Sequence, residues 1–393
     1  MTTSNLLEVA PQEVTSRPAA TRAAQPASER LVSLDALRGF DMSWIMGGEI
    51  IFKSLAALTG WTVLQWWARQ LDHVPWNGFH AYDMIFPLFL FIAGISFPFS
   101  MARRYHGKEN RKALYIHVVK RGFLLVFLGI IYNNAISFDF AHLRYSSVLG
   151  RIGLAWMFGA LIFMNTSVRF RIVWLWGILI FYWLLLLFFP AHDLGTFGPF
   201  SMQSNLAGYI DRSLLPGSHC CFEYGDNEGI LGTVPAISTA LLGMLTGQFV
   251  MSQHLSDKPL RKVLYMALVA IGLIILGGIW NIAFPINKLL WSSSYVCFVG
   301  GLSLLLFTLF YLVIDIWKVR KWTTFFVVIG MNSITIYLAQ GIIDFKYSAR
   351  FLFGGLYTIF PHSWQIFAGA VGYFTAAWLF LYFLYKKKLF LKV

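Results

Sequence analysis

Long uninterrupted apolar stretches dominate this sequence and decide its fold class before any other feature. They run over residues 37–58, 80–101, 114–136, 147–165, 169–190, 229–251, 260–284, 289–314, 323–345 and 365–386. About 20 such residues in a helix cross the hydrocarbon core of a bilayer. Lipid offers no partners for backbone polar groups, so only helices and closed barrels span it. These stretches are continuous where barrel strands alternate, which excludes a barrel. The chain is 58% hydrophobic and 12% charged, with a mean hydropathy of +0.63; a soluble domain is nearer half apolar and a quarter charged. The expected fold is an all-α integral membrane protein of about ten transmembrane helices in one bundle over residues 31–393. Residues 1–30, rich in Ala, Ser, Thr, Pro and Arg, read as a disordered tail without the apolar core of a cleavable signal peptide.

The net charge of +13 would raise nucleic acid as a partner in a soluble chain. Here the basic residues sit in short loops between spans, where they mark cytoplasmic loops, so no nucleic-acid partner is expected. Placing both termini in the cytoplasm puts all but eight of the 31 Lys and Arg on that side. The eight are Lys53, Arg69, Arg144, Arg151, Arg212, Lys288, Lys346 and Arg350. Two spans are unusual: the first carries Asp41, Glu49 and Lys53, and the ninth holds Asn332, Gln340 and Asp344. No internal repeat is evident.

Polar chemistry concentrates in Gln70–Pro87, at the outer end of the first two spans. Histidine is the side chain whose ordinary pKa lies near working pH, so His73 suits a base or nucleophile; a backbone-bonded structural His is the alternative. Asp83 lies at the start of the second span, where a carboxylate favours the helix N-terminus; it could equally orient His73. Trp76 suits an interfacial anchor, and Asn77 could donate to an oxyanion. Glu49 falls past the midplane of its span, and intramembrane carboxylates mark function, although Lys53 four residues on offers a simple partner. Asp35 and Arg38 could pair, or Arg38 could join Arg103, Arg104, Lys120 and Arg121 in holding a phosphorylated ligand. Ser333, Tyr337 and Gln340 share one helix face beside Asn332. The long loop 191–228 is acidic, with Asp211, Glu223, Asp226 and Glu228. Among the cysteines, Cys297 reads as a packing residue. The adjacent Cys220 and Cys221 read as free thiols or as pairing with another chain. No ligand spacing points to a metal.

Ser33-Leu34-Asp35-Ala36-Leu37-Arg38-Gly39-Phe40 resembles the opening signature of a superfamily of membrane acyltransferases. His73 with Trp76-Asn77-Gly78, then Asp83 and Phe86-Pro87, is similar to the heparan-α-glucosaminide N-acetyltransferase family within it. So are Val148–Gly153, Glu228–Thr233, Pro285–Lys288 with Leu290-Trp291-Ser292, Gly330–Ile334 and Tyr385–Lys388. The resemblance covers roughly residues 31–393. It implies a transmembrane acyltransferase domain that carries the acetyl group of cytosolic acetyl-CoA to the amine of a glucosamine-type sugar or glycan on the other side. On this resemblance the setting is a bacterial inner membrane. His73 then matches the essential histidine, as base or as transient acetyl carrier. Where the family has an Asn in the first span, this sequence has Glu49. The expected catalytic residues are His73, Glu49 and Asp83. Arg38, Asn77, Trp76, Arg121, Ser293, Asn332 and Ser333 are expected on acetyl-CoA, and Asp226, Glu228 and Asn287 on the acceptor. The Gly-rich spans permit a homodimer. A transporter or flippase using the same polar cavity, or a scaffold without a site, are the competing readings.

Overall fold

A computed structural model describes residues 31–106, 110–133, 138–252, 255 and 258–391. The expected tail 1–30 lies outside the described residues. The helices are α1 (Val32–Ser43), α2 (Glu49–Thr59), α3 (Thr62–Gln70), α4 (Ile85–His106), α5 (Arg111–Tyr132), α6 (Val148–Asn165), α7 (Val168–Phe188) and α8 (Leu206–Leu214). After the short hairpin β1 (Cys221–Phe222) and β2 (Gly225–Asp226) come α9 (Thr233–Met251), α10 (Pro259–Trp280), α11 (Ser293–Phe310), α12 (Thr323–Met331), α13 (Ser333–Ile342), α14 (Phe345–Tyr357) and α15 (His362–Lys386). The fold is an all-helical membrane bundle, as expected. Among the described residues, eight helices are long and apolar enough to cross a membrane. The pair α12–α13, bent by 66° at Asn332, makes a ninth. The expected first span is the helix α1–α2, which a wide turn at Trp44–Gly48 kinks. Gly47 has φ 115° there, a conformation that side-chain-bearing residues rarely adopt. The ten expected stretches thus resolve into eight long helices, one bent pair and one kinked, charge-bearing helix.

Burial sorts these helices into two rings. In α4, α6, α9 and α11, 56–61% of the spanning window is buried within the protein; in α5, α7, α10 and α15 the share is 22–28%. The inner ring encloses the largest core, around Trp156, Trp291 and Tyr295. Nearly all of α1 is buried as well, which explains how a helix carrying Asp35, Arg38 and Asp41 exists in this setting: its charges face protein, not lipid. It packs on α12 at backbone contact. A Cβ on Gly39 would overlap the Phe326 carbonyl, and one on Gly330 would overlap that of Asp35. Small residues at such a crossing let backbones meet without side-chain spacers.

Side-chain caps start several helices. Asn110, Ser147, Asn205, Ser292 and Asp344 each accept from a backbone N–H in the first turn of the helix that follows. Two consequences matter for function. The α1–α12 contact carries Asn332 and Ser333 into the centre of the bundle, and the Ser292 cap fixes where α11 begins beside residues 286–291.

Gly330→Val should force α1 and α12 apart and lower stability by about 1–3 kcal/mol, read as a fall in the melting midpoint in detergent. Gly278→Ala, on α10 where a Cβ meets nothing within 4 Å, should be neutral or mildly stabilising.

Candidate active site

The loop 71–80 is pinned at both ends and in the middle. The Trp76 indole Nε1 donates to the Phe200 carbonyl at 3.0 Å. Asn287 Nδ2 donates to Asn77 Oδ1 at 3.0 Å, and Gly78 N to the Ile286 carbonyl at 2.8 Å. Gly78, at φ 122°, makes the turn. The Gln70 carboxamide accepts from Ala81 N at 3.3 Å. These bonds leave the His73 side chain exposed at the rim of the bundle, with Asp83 beneath it.

Asp83 is 2% exposed and lies in a turn of 3₁₀ helix, Ala81–Met84, that leads into α4. One oxygen, Oδ1, is 2.7 Å from His73 Nδ1 and 3.3 Å from Lys288 Nζ. The other, Oδ2, accepts from His80 N at 3.1 Å, closing a capping box with the His80 side chain. Tyr295, from α11, donates its hydroxyl to the Asp83 backbone carbonyl at 2.7 Å. An ionised carboxylate accepting from Nδ1 fixes that nitrogen as N–H, and Nε2 is then left with its lone pair.

Lys288 Nζ lies 3.0 Å and 3.4 Å from the two ring nitrogens of His73. A buried backbone device delivers it there. Trp291, fully buried, has φ +54°, a left-handed conformation costly outside Gly. Its Nε1 donates to Thr239 Oγ1 at 3.2 Å, and the Arg151 guanidinium lies 5.1 Å from its ring. The sharp turn 286–291 that results directs Lys288 toward His73. Burial pushes the Lys288 pKa down, only partly offset by the charge and hydrogen bond of Asp83.

These groups open onto a cavity of about 450 Å³. His73, Tyr82, Asp83 and Lys288 form one wall, and Phe86, Phe89 and Ile334 make its apolar depth. Arg144, Asn227 and Glu228 close it on another side, and Ser333 and Tyr337 reach it from α13. Arg144 forks onto Asp226, at 2.8 Å from Nε and 2.6 Å from Nη2, and also pairs with Glu228. Burial pushes Asp226 up, but the hydrogen bond and charge of Arg144 outweigh it and hold the carboxyl below its ordinary value.

The expected site residues divide by position. His73, Asp83, Ser333 and Glu228 are brought to the cavity wall. Trp76, Asn77 and Asn287 form the latch around the loop. Ser293, fully buried, donates to the Leu179 carbonyl at 2.7 Å. None of these four, nor Asp226, is among the cavity residues. Glu49 pairs with Lys53 at 3.6 Å, and Lys53 in turn with Asp72 at 2.9 Å. Glu49 is not among the cavity residues and reaches them by way of Lys53, which bridges to Asp72 beside His73. Arg38 donates to Ser96 at 2.9 Å, well down α4. There its charge meets those of Arg104 and Arg121, with Arg121 lying 4.3 Å over the Trp156 ring. Asn332 is buried with both carboxamide atoms unpartnered. Cys220 is disulfide-bonded, which corrects the expectation of a free thiol there; Cys297 is free and buried, as its apolar context implied.

Lys288, Arg144, Tyr82 and Asn227 were not singled out in the sequence. A signal for the first two was present. Both belong to the minority of basic residues off the basic face, and Lys53, Arg144, Arg212 and Lys288 of that minority each have an acidic partner.

The family described as Domain of unknown function (DUF5009) matches residues 30–143, a range that holds both His73 and Asp83. Heparan-alpha-glucosaminide N-acetyltransferase of Mus musculus is 28% identical, over 82% of this chain and 56% of its own length. The Homo sapiens enzyme of the same name is also 28% identical, over 82% of this chain and 55% of its own. The chain is similar to heparan-α-glucosaminide N-acetyltransferase over most of its length. It spans about half the length of these two relatives. The resemblance carried by the motifs is therefore borne out.

The loop wall itself has a pH signature. Asp211, on α8, accepts from Ile230 N at 2.9 Å and Asp226 N at 3.3 Å, yet burial pushes its pKa up to about 6. A carboxyl whose folded pKa lies above its unfolded value binds a proton more readily when folded. Its contribution is therefore present below about pH 4 and is lost as pH rises through about 6. Stability, followed as the melting midpoint, should fall between about pH 4 and pH 6, by an amount on the order of 2–3 kcal/mol at most. Asp211→Asn should flatten that slope; an equal slope in the variant would refute the assignment.

Proposed function

We propose that this chain is a transmembrane acetyltransferase. In this reading it moves the acetyl group of acetyl-CoA to the amine or hydroxyl of a glucosamine-type acceptor, with His73 as general base. The observation that carries the reading is the His73–Asp83–Lys288 constellation on the wall of a largely apolar cavity that opens at the rim of the bundle. Asp83 orients the imidazole, as the carboxylate does in a hydrolase triad. His73 Nε2 takes the proton from the attacking amine or hydroxyl as the new bond to the thioester carbonyl forms. When the carbon–sulfur bond breaks, the same nitrogen returns the proton to the departing CoA thiolate. Lys288 helps to keep Asp83 ionised and can donate to the oxyanion that develops on the carbonyl. The apolar depth excludes water, which would otherwise compete for the acetyl group.

The donor enters from the other end. Ser96, which holds Arg38, is thirteen residues beyond Asp83, about 20 Å along α4 at 1.5 Å per residue. Arg38, Arg104 and Arg121 gather at that depth, a setting for the phosphates of CoA. An extended pantetheine arm suits the distance to His73. Asn332, with a donor and an acceptor both unmet, complements an amide of that arm. The topology that fits has both termini and the Arg38 end in the cytoplasm and His73 at the opposite face. Glu49 acts here as a positioning residue through Lys53, which it holds against Asp72 beside His73.

His73→Ala should lower transfer from acetyl-CoA to glucosamine by about 10²–10⁴-fold while the melting midpoint in detergent stays put; full activity would end this reading. Recovery of acetylated His73 without acceptor would replace the base role by a covalent one. Because Lys288 deprotonates below the ordinary lysine range, the alkaline limb of the rate profile should fall early. In Lys288→Arg that limb should move to higher pH; an unchanged limb would remove Lys288 from the chemistry.

A further inference from the structure

Asp226 and Glu228 are both committed to Arg144, but the residue between them is not. Asn227 lines the cavity that also holds His73 and Lys288, and its Oδ1 is buried without a hydrogen-bond partner. We infer that Asn227 selects the acceptor, its Oδ1 taking a hydrogen bond from an O–H or N–H of an amino sugar and so placing the reactive group against His73. This rests on the acetyl-transfer reading above.

The turn carrying Asn227 is held rigidly. Asn227 N donates to the Cys220 carbonyl at 3.3 Å, and Gly229 N to that of Asp226 at 3.2 Å. Cys220 N and Glu228 N donate to the two Asp226 oxygens at 3.0 Å and 2.8 Å. Ile230 N is tied to Asp211 at 2.9 Å. With its neighbours fixed, the carboxamide cannot swing to a protein partner without breaking this net. A buried acceptor without a donor is unfavourable by about 1–3 kcal/mol, and a turn this well braced keeps it that way until a ligand supplies the hydrogen.

The chemistry of the two substrates then decides which one. At its reacting end a thioester presents a carbonyl oxygen and a sulfur, both acceptors that cannot satisfy Oδ1; the amide N–H of the CoA arm lies two carbons beyond the sulfur and is the partner assigned to Asn332 above. A sugar hydroxyl or an amine can. The carboxylates nearby do not compete for it: Glu228 is paired with Arg144, and Asp83 with His73 and Lys288. Recognition at this wall is thus by a neutral acceptor oxygen that demands a donor. Sites built in this way discriminate strongly against an analogue lacking the hydrogen.

The test uses the full chain purified in detergent, with glucosamine as acceptor, comparing the unaltered protein, Asn227→Ala and Asn227→Asp. Asn227→Ala should raise the glucosamine KM at least tenfold, with kcat changed less and the acetyl-CoA KM moved under twofold. Asn227→Asp retains an oxygen acceptor and should recover most of the loss. Thermal stabilisation by glucosamine alone, without acetyl-CoA, should weaken in the same order. An unchanged glucosamine KM and stabilisation in Asn227→Ala, or a rise confined to the acetyl-CoA KM, overturns the assignment. So does an unaltered protein that glucosamine does not stabilise. Stabilisation that depends on Asn227 in a protein that transfers nothing would uphold this site and instead sink the acetyl-transfer reading.

Discussion

A single buried carboxylate, Asp83, organises the site. At 2% exposure it holds the His73 imidazole at 2.7 Å, the Lys288 ammonium at 3.3 Å and the His80 backbone N–H at 3.1 Å. A buried ion is tolerated when its lone pairs are met by donors and at least one of these is charged. The donors come from two distant parts of the chain: the 71–80 loop supplies His73 and the His80 N–H, and the 286–291 turn supplies Lys288. Removing the carboxylate would leave Lys288 buried without its counter-charge and His73 without an orienting partner. The bond from Tyr295 to the Asp83 carbonyl extends the same dependence to α11.

The helical frame holds that arrangement in register. The inner ring of α4, α6, α9 and α11 supplies the apolar walls, and the close α1–α12 contact brings α13 with Ser333 and Tyr337 to the cavity. On the His73 face, Lys53, Arg144, Arg212 and Lys288 pair with acids of the same chain. The basic residues of the other end, Arg38, Arg104 and Arg121 among them, crowd together. In the proposed reading this cluster takes the anionic ligand, although Arg38 also pairs with Asp35, and the His73 end takes one recognised by hydrogen bonds.

Much of this was legible in the residue order because it is local or periodic. Spans follow from length and apolarity, and nine of them appear as helices or a bent pair. The tenth was overtaken by its own charges and by Gly47, which kink it between a buried α1 and a largely half-buried α2. His73 and Asp83, ten residues apart in one polar stretch, were paired as an orienting possibility and are found bonded. What could not be read were contacts between distant segments. Lys288 is 215 residues from His73, and Arg144 is 82 from Asp226. Trp76, Asn77 and Asn287 carried the right motif but serve as the loop's latch, since a polar side chain in a motif can bind backbone as readily as ligand. Asn227 gave no signal, because an unmet hydrogen bond exists only in three dimensions.

The central claim is that acetyl passes from a donor bound at the Arg38 end to an acceptor bound at the His73 end. Sealed vesicles carrying the purified chain test it most directly, with labelled acetyl-CoA supplied on the Arg38 side and glucosamine on the His73 side. The account predicts labelled N-acetylglucosamine accumulating only in the glucosamine compartment. Label that stays in acetyl-CoA, or product that forms only when both substrates share one compartment, would contradict it.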